Sequence, residues 1–112
     1  MTSYEMQQLF SQTLLGDYED EAPWDAVSAL QRDGNREIFE TAAWWLKESV
    51  PLKRARAAAI LAQLRMFSNT EQAPKEPKWL FRDETFPLLV EMLEREENPM
   101  VLGSGIAALG HL

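Results

Sequence analysis

The chain of 112 residues has no cysteine and a single histidine. Without cysteine there are no disulfides and no thiolate metal sites, which is compatible with a cytoplasmic location. With His111 alone, at the penultimate position, nucleophile–base pairs and transition-metal sites have almost no material. The glycines in "LGSG" and "DGN" form neither a dinucleotide fingerprint nor a phosphate loop, and suit helix contacts or turns. The acidic run Asp17, Glu19, Asp20, Glu21 and Asp25 lacks the alternation of a Ca²⁺ loop. No carboxylate pair stands out for acid–base work among 18 acids. The opening "MTSYEMQQLF" has no basic or apolar segment of a signal peptide. No apolar run is long enough to span a bilayer. These absences lead us to expect no enzyme activity, no cofactor, no metal and no membrane partner.

What is present reads as one globular domain, with 46% hydrophobic and 26% charged residues. The net charge of -7 is unevenly spread: residues 51–65 carry Lys53, Arg54, Arg56 and Arg65 and no acid. The acidic background disfavours nucleic acid and anionic membranes as partners. Apolar residues recur at i, i+3, i+4 and i+7, which predicts an all-α fold. Helices are expected near 3–15, 22–33, 35–49, 51–66, 83–97 and 99–112. Pro51 and Pro99 suit first helical turns. Pro87 fits a first turn if its helix begins at Asp83 or Glu84.

The chain also repeats itself. A shift of 48 places Pro51 on Pro99, Ala55 on Gly103, Ala57 on Gly105, Ala59 on Ala107, Ala62 on Gly110 and Leu64 on Leu112. The same shift sets Ile38 on Phe86, Ala42 on Val90 and Trp45 on Leu93. A weaker copy begins in "WDAVSAL", with Ala26 on Ala57 and Leu30 on Leu61. On a helical projection, residues 51–66 show two apolar stripes. One holds Ala57, Ile60, Leu61 and Leu64; the other holds Leu52, Ala55, Ala59, Ala62 and Met66. Two stripes predict packing from two directions, with small residues admitting a close neighbour. Met100, Gly103, Ala107 and Gly110 repeat the small stripe in the last helix, and Ala59→Leu is expected to overpack it.

These residues carry a family resemblance. "RARAAAILAQL" and "VLGSGIAALGHL", with their Ala-x-Leu-small-x-Leu ending and a proline opening the second helix, resemble HEAT repeats. They are similar above all to the short bacterial HEAT-like repeats of the phycobilisome-lyase type. The resemblance covers most of residues 22–112. It implies an α–α superhelix, or solenoid, of about three helical hairpins: units 1–34, 35–66 and 83–112, with an insertion at 67–82. The Gly-Asp-Pro continuation that such repeats carry after "ALGHL" is missing. We therefore expect either a piece of a longer array or a last helix that packs against something else.

The candidate partner surface is aromatic. Trp44 projects between Glu37, Glu40 and Glu48, and serves either as an interaction anchor or as a residue covered by the next helix or the insertion. Leu88 and Met92 align with Glu40 and Trp44 and continue the strip one unit later. Trp79, behind "APKEP", either clamps the insertion onto the stack or grips a partner. The expected function is a non-catalytic scaffold binding a protein or peptide, with a homodimer as a further option for the apolar strip. The resemblance implies two alternatives: a bilin-lyase-like protein handling a chromophore, and a HEAT-like nucleic-acid binder. The latter would use Lys53, Arg54, Arg56 and Arg65 on phosphates, although Arg54 and Arg65 project to one side and Lys53 and Arg56 to another.

Overall fold

A computed structural model describes residues 1–17, 19–66 and 78–112. Six helices account for most of them: α1 Ser3–Gln12, α2 Glu21–Arg32, α3 Arg36–Trp45, α4 Pro51–Ala62, α5 Arg82–Arg95 and α6 Pro99–Gly110. The fold is all-α apart from two short strands, β1 Arg65–Met66 and β2 Lys78–Trp79, paired antiparallel. "APKEP" and most of the expected insertion lie outside the described residues. Among the described residues no helix is long and apolar enough to cross a membrane.

Local chemistry sets the helix starts. The Thr2 side chain accepts from the Glu5 amide, Asn35 from Ile38, and Asn98 from Met100 and Val101, each satisfying donors that a first turn leaves open. Pro51 and Pro99 occupy first-turn positions. Helix α5 starts differently: Phe81 caps it in the left-handed region, at φ 60°. That conformation is costly for a bulky residue. It is held by stacking of the Phe81 ring on Phe39 at 4.7 Å, with the Arg36 guanidinium over both rings.

Several expected boundaries shift, for identifiable reasons. Helix α1 ends at Gln12 rather than 15 because Thr13 turns inward; its hydroxyl donates to the Phe10 carbonyl. Helix α4 ends at Ala62 rather than 66 because the chain swings into β1. There the Arg65 carbonyl accepts from the Gly34 amide, and a side chain on Gly34 would collide with the Arg65 backbone at 2.9 Å. Pro87 is the sixth residue of α5, past the first turn. The bond it forgoes would go to the exposed Asp83 carbonyl, which water can satisfy.

Helix α1 packs on α2, α3 on α4 and α5 on α6, while α2, α4 and α6 contact one another in series with α4 in the middle. The core centres on α4, where Ala55, Ala57, Ala58, Ile60, Leu61 and Ala62 are all buried. Arg56 is buried with them. Its Nε donates to the Thr13 carbonyl at 2.8 Å and its guanidinium lies 4.6 Å from the Trp24 ring centre. It thereby ties α4 to the preceding hairpin. Ser104, 48 residues on, does the same for α6, donating to the Ala55 carbonyl at 2.7 Å.

The two-stripe expectation is met only in part over residues 51–66, where Ala59 is half-buried beside an open groove and Met66 is exposed, and not on α6. Ala55 and Ala62 are covered, whereas Gly103, Ala107 and Gly110 are exposed, and a methyl group on Gly103 or Gly110 would meet nothing within 4 Å. Gly105 is the glycine that permits close packing; a Cβ there would sit 2.7 Å from Leu93 and 2.9 Å from Met92. The sequence offset between corresponding helices also differs from pair to pair. Helices α4 and α6 match at 48, as Ala57 with Gly105 and Ile60 with Ala108 are all buried. Helices α3 and α5 match at 47: Ile38 and Ala42 correspond to the buried Thr85 and Leu89, and Phe86 is exposed.

Candidate interaction surface

Trp44 stands two residues beyond Ala42, which points into the core. Two residues of helix turn the side chain by about 200°, so the helical period alone sends Trp44 outward. It is 69% exposed, and neither a helix nor any described part of the insertion covers it. At its base is a cleft of about 200 Å³, lined by Phe39, Glu40, Ala43, Trp44, Lys47 and Leu88. The walls are therefore an indole, a phenyl ring and a leucine, with one acid and one base at the rim. The acid is engaged on one side: Arg36 Nε donates to Glu40 at 3.2 Å while its Nη1 reaches Glu84 at 2.7 Å. Those hydrogen bonds, Glu84 first, hold the Arg36 pKa above its ordinary value. This ion pair bridges the α3 and α5 walls of the cleft.

The structure brings Trp44, Glu40 and Leu88 together, but not the other two expected surface residues. Met92 is buried, against the position of Gly105. The cause is the register of 47: Trp44 corresponds to the exposed Glu91, and Met92 corresponds to Trp45. Trp79 does not line this cleft. It sits on β2 with the Arg82 and Arg65 guanidinium groups 5.1 Å and 5.9 Å from its ring centre. Phe39, Ala43 and Lys47 were not singled out from the sequence; Phe39 also belongs to the core.

The four cations of residues 51–65 do not form a patch. Lys53 lies 5.3 Å from the Trp45 ring centre. Arg54 makes a bidentate pair with Glu96, at 2.7 and 3.0 Å, and donates to the Glu48 carbonyl. The Glu96 hydrogen bonds raise the Arg54 pKa, and the same bonds hold the Glu96 carboxyl below the usual range against the opposing effect of burial. Arg56 is inaccessible. Arg65 donates to the Gln63 carbonyl, and its pKa is lowered by burial and then by Arg32. A larger depression of about 380 Å³ lies beside the α3–α4 connection; of the charged groups that line it, Arg54 pairs with Glu96 and Arg95 with Glu91.

Among the described residues no cluster of three His, Asp or Glu side chains could hold a metal ion. The ring of His111 is 3.3 Å from the Gln63 amide nitrogen, and its carbonyl accepts from Arg82. A narrow groove of about 190 Å³ runs over α4 between α2 and α6, with Ala59 and Ala107 among its lining and Gln31 bonded to the Ala59 carbonyl. No family model, curated protein or solved structure matches this chain.

Proposed function

We propose that this protein is a non-catalytic α-solenoid of three HEAT-like hairpins that holds a protein or peptide segment in the Trp44 cleft. The serial contacts of α2, α4 and α6 support the stacked arrangement. So do Arg56 and Ser104, repeat-related residues that each donate to a backbone carbonyl of the hairpin before. The observation that carries the binding role is Trp44 itself, a large aromatic 69% exposed beside an apolar cleft. Aromatic anchors of this kind dominate interface energetics. Glu40 and Lys47 balance each other at the rim, while the chain as a whole carries a net charge of -7, so the favoured segment is basic with one apolar anchor. The nucleic-acid alternative loses support, since Arg56 is inaccessible and Arg54 is committed to Glu96.

The test is selection from a displayed peptide library, followed by titration of the enriched peptides against the wild type and Trp44→Ala. Basic peptides with an apolar anchor should bind and should weaken at least about tenfold on the variant, the loss of a modest hot spot. No enrichment, or equal binding to both proteins, would refute the cleft as the site.

A further inference from the structure

We propose that Glu40 and Lys47 make the Trp44 cleft selective for a peptide segment of mixed charge: an apolar anchor between one cation, held at Glu40, and one anion, held at Lys47. The inference rests on the cleft reading above and names the two side chains that select among its ligands.

The helical period sets the arrangement. Glu40, Trp44 and Lys47 are spaced i, i+4 and i+7 along α3 and the turn that ends it, so they share one face. All three line the cleft, with Leu88 of α5 across from them. Seven residues of helix advance about 10 Å. An acid therefore stands at one end of the cleft and a base at the other, with the indole between them.

The neighbours of these two groups leave both charges available. At the acid end, Arg36 Nη1 reaches both oxygens of Glu84, at 2.7 and 2.9 Å, while its Nε reaches Glu40 only at Oε1. Two carboxylates thus share one guanidinium, which leaves this end negative. The Glu40 Oε2 takes no hydrogen bond among the described residues, on a side chain that is 66% exposed. At the base end, Lys47 is exposed and forms no ion pair among the described residues. Its ammonium is not engaged in capping α3 either, because the Ala42, Trp44 and Trp45 carbonyls accept from the Leu46, Lys47 and Glu48 amides.

The pair rejects as well as attracts. A segment with cations on both sides of its anchor sets one of them against Lys47, and a segment with two anions sets one against Glu40. A segment of mixed sign escapes both repulsions. Either chain direction serves, since the requirement is two opposite charges about 10 Å apart astride the anchor. The net charge of -7 still favours a ligand that is basic over the rest of its length.

The test takes a peptide enriched in the selection above and remakes it in three forms, with its anchor flanked by lysine and glutamate, by two lysines, or by two glutamates. Each is titrated by fluorescence anisotropy against the wild type, Glu40→Lys and Lys47→Glu. The wild type should bind the mixed form about fivefold more tightly than either other form at low salt, the upper range of an exposed pair. Lys47→Glu should shift the preference to the two-lysine form, and Glu40→Lys to the two-glutamate form. Both preferences should shrink in about 0.5 M salt, where exposed charges are screened. Unchanged circular dichroism should accompany both reversals, and Lys47→Glu removes no hydrogen bond of the fold. Equal binding of the three forms, or a preference that neither reversal moves, would overturn the proposal while leaving the cleft as the site. Loss of all binding distinction between the wild type and Trp44→Ala would instead remove the cleft, and this selectivity with it.

Discussion

Glu96→Gln is the sharpest probe of how this fold holds its charges. The Glu96 side chain is only 5% exposed, its Arg54 partner 18%, and the two share hydrogen bonds of 2.7 and 3.0 Å. The Asn98 amide donates to the same carboxylate at 3.1 Å, so this one group also fixes the α5–α6 turn. Breaking a buried pair by removing one partner costs about 3–5 kcal/mol, and a single hydrogen bond to a charged group contributes about 1.5–3 kcal/mol. The glutamine oxygen can keep one contact, and Arg54 keeps the Glu48 carbonyl, which argues for less than the cost of a fully broken pair, about 2–3 kcal/mol. The expected fall in melting temperature is about 10 °C or more. The pH dependence follows from the sign of the shift. The folded-state pKa of Glu96 is depressed, so its stabilisation is fully present above the unfolded value of about 4.3 and is lost as pH falls through the folded value. Urea denaturation of both proteins should therefore show the full gap at pH 7 and a gap that narrows steadily below about pH 4. Comparison with the variant cancels the titration of the other acids. A variant within about 0.5 kcal/mol of wild type at pH 7, the range of an ordinary surface change, would refute the reasoning. So would a gap that persists in acid.

The remaining predictions concern packing. Gly103→Ala should stabilise the chain by about 0.5–1 kcal/mol in denaturant melts, because the glycine is helical and its added methyl meets nothing. Ala58→Leu should destabilise by about 1–3 kcal/mol through overpacking, since Ala58 is fully buried. Ala59→Leu should change stability by less than about 0.5 kcal/mol, because Ala59 is half-buried and lines the open groove beside α2.

Much of the helical layout was legible, because it depends on local signals. Asn35, Pro51, Asn98 and Pro99 announce helix starts at positions where the chain cannot easily do otherwise. The early ends of α1 and α4 were not legible, because partners that hold the chain there are distant in sequence: the Thr13 carbonyl accepts from Arg56, and a strand pair closes beside Gly34. The helical period set Trp44 off the core stripe, and it is exposed with Glu40 beside it. Its neighbour Leu88 was found through the repeat, although in the register that the α3–α5 pair does not keep. Arg56 looked like a surface cation, and nothing local reveals that an indole and a carbonyl lie waiting for it on the preceding hairpin.

The register itself offers the last test. Hydrophobicity alone prefers Phe86 over Thr85 for the core, yet the structure buries Thr85 completely and leaves Phe86 exposed. The Thr85 hydroxyl then has no hydrogen-bond partner among the described residues. An unpaired buried hydroxyl costs about 1–3 kcal/mol by mutational measures. Valine has the same shape and β-branching, keeps the helix rotamer and has no group to desolvate. Thr85→Val should therefore stabilise the protein by about 1 kcal/mol, read as a higher urea midpoint with an unchanged slope. The opposite register, with Phe86 inside, would leave residue 85 at the surface and make the substitution neutral. A neutral or destabilising Thr85→Val would therefore count against the packing of α5 described above, and with it against the outward-facing Phe86.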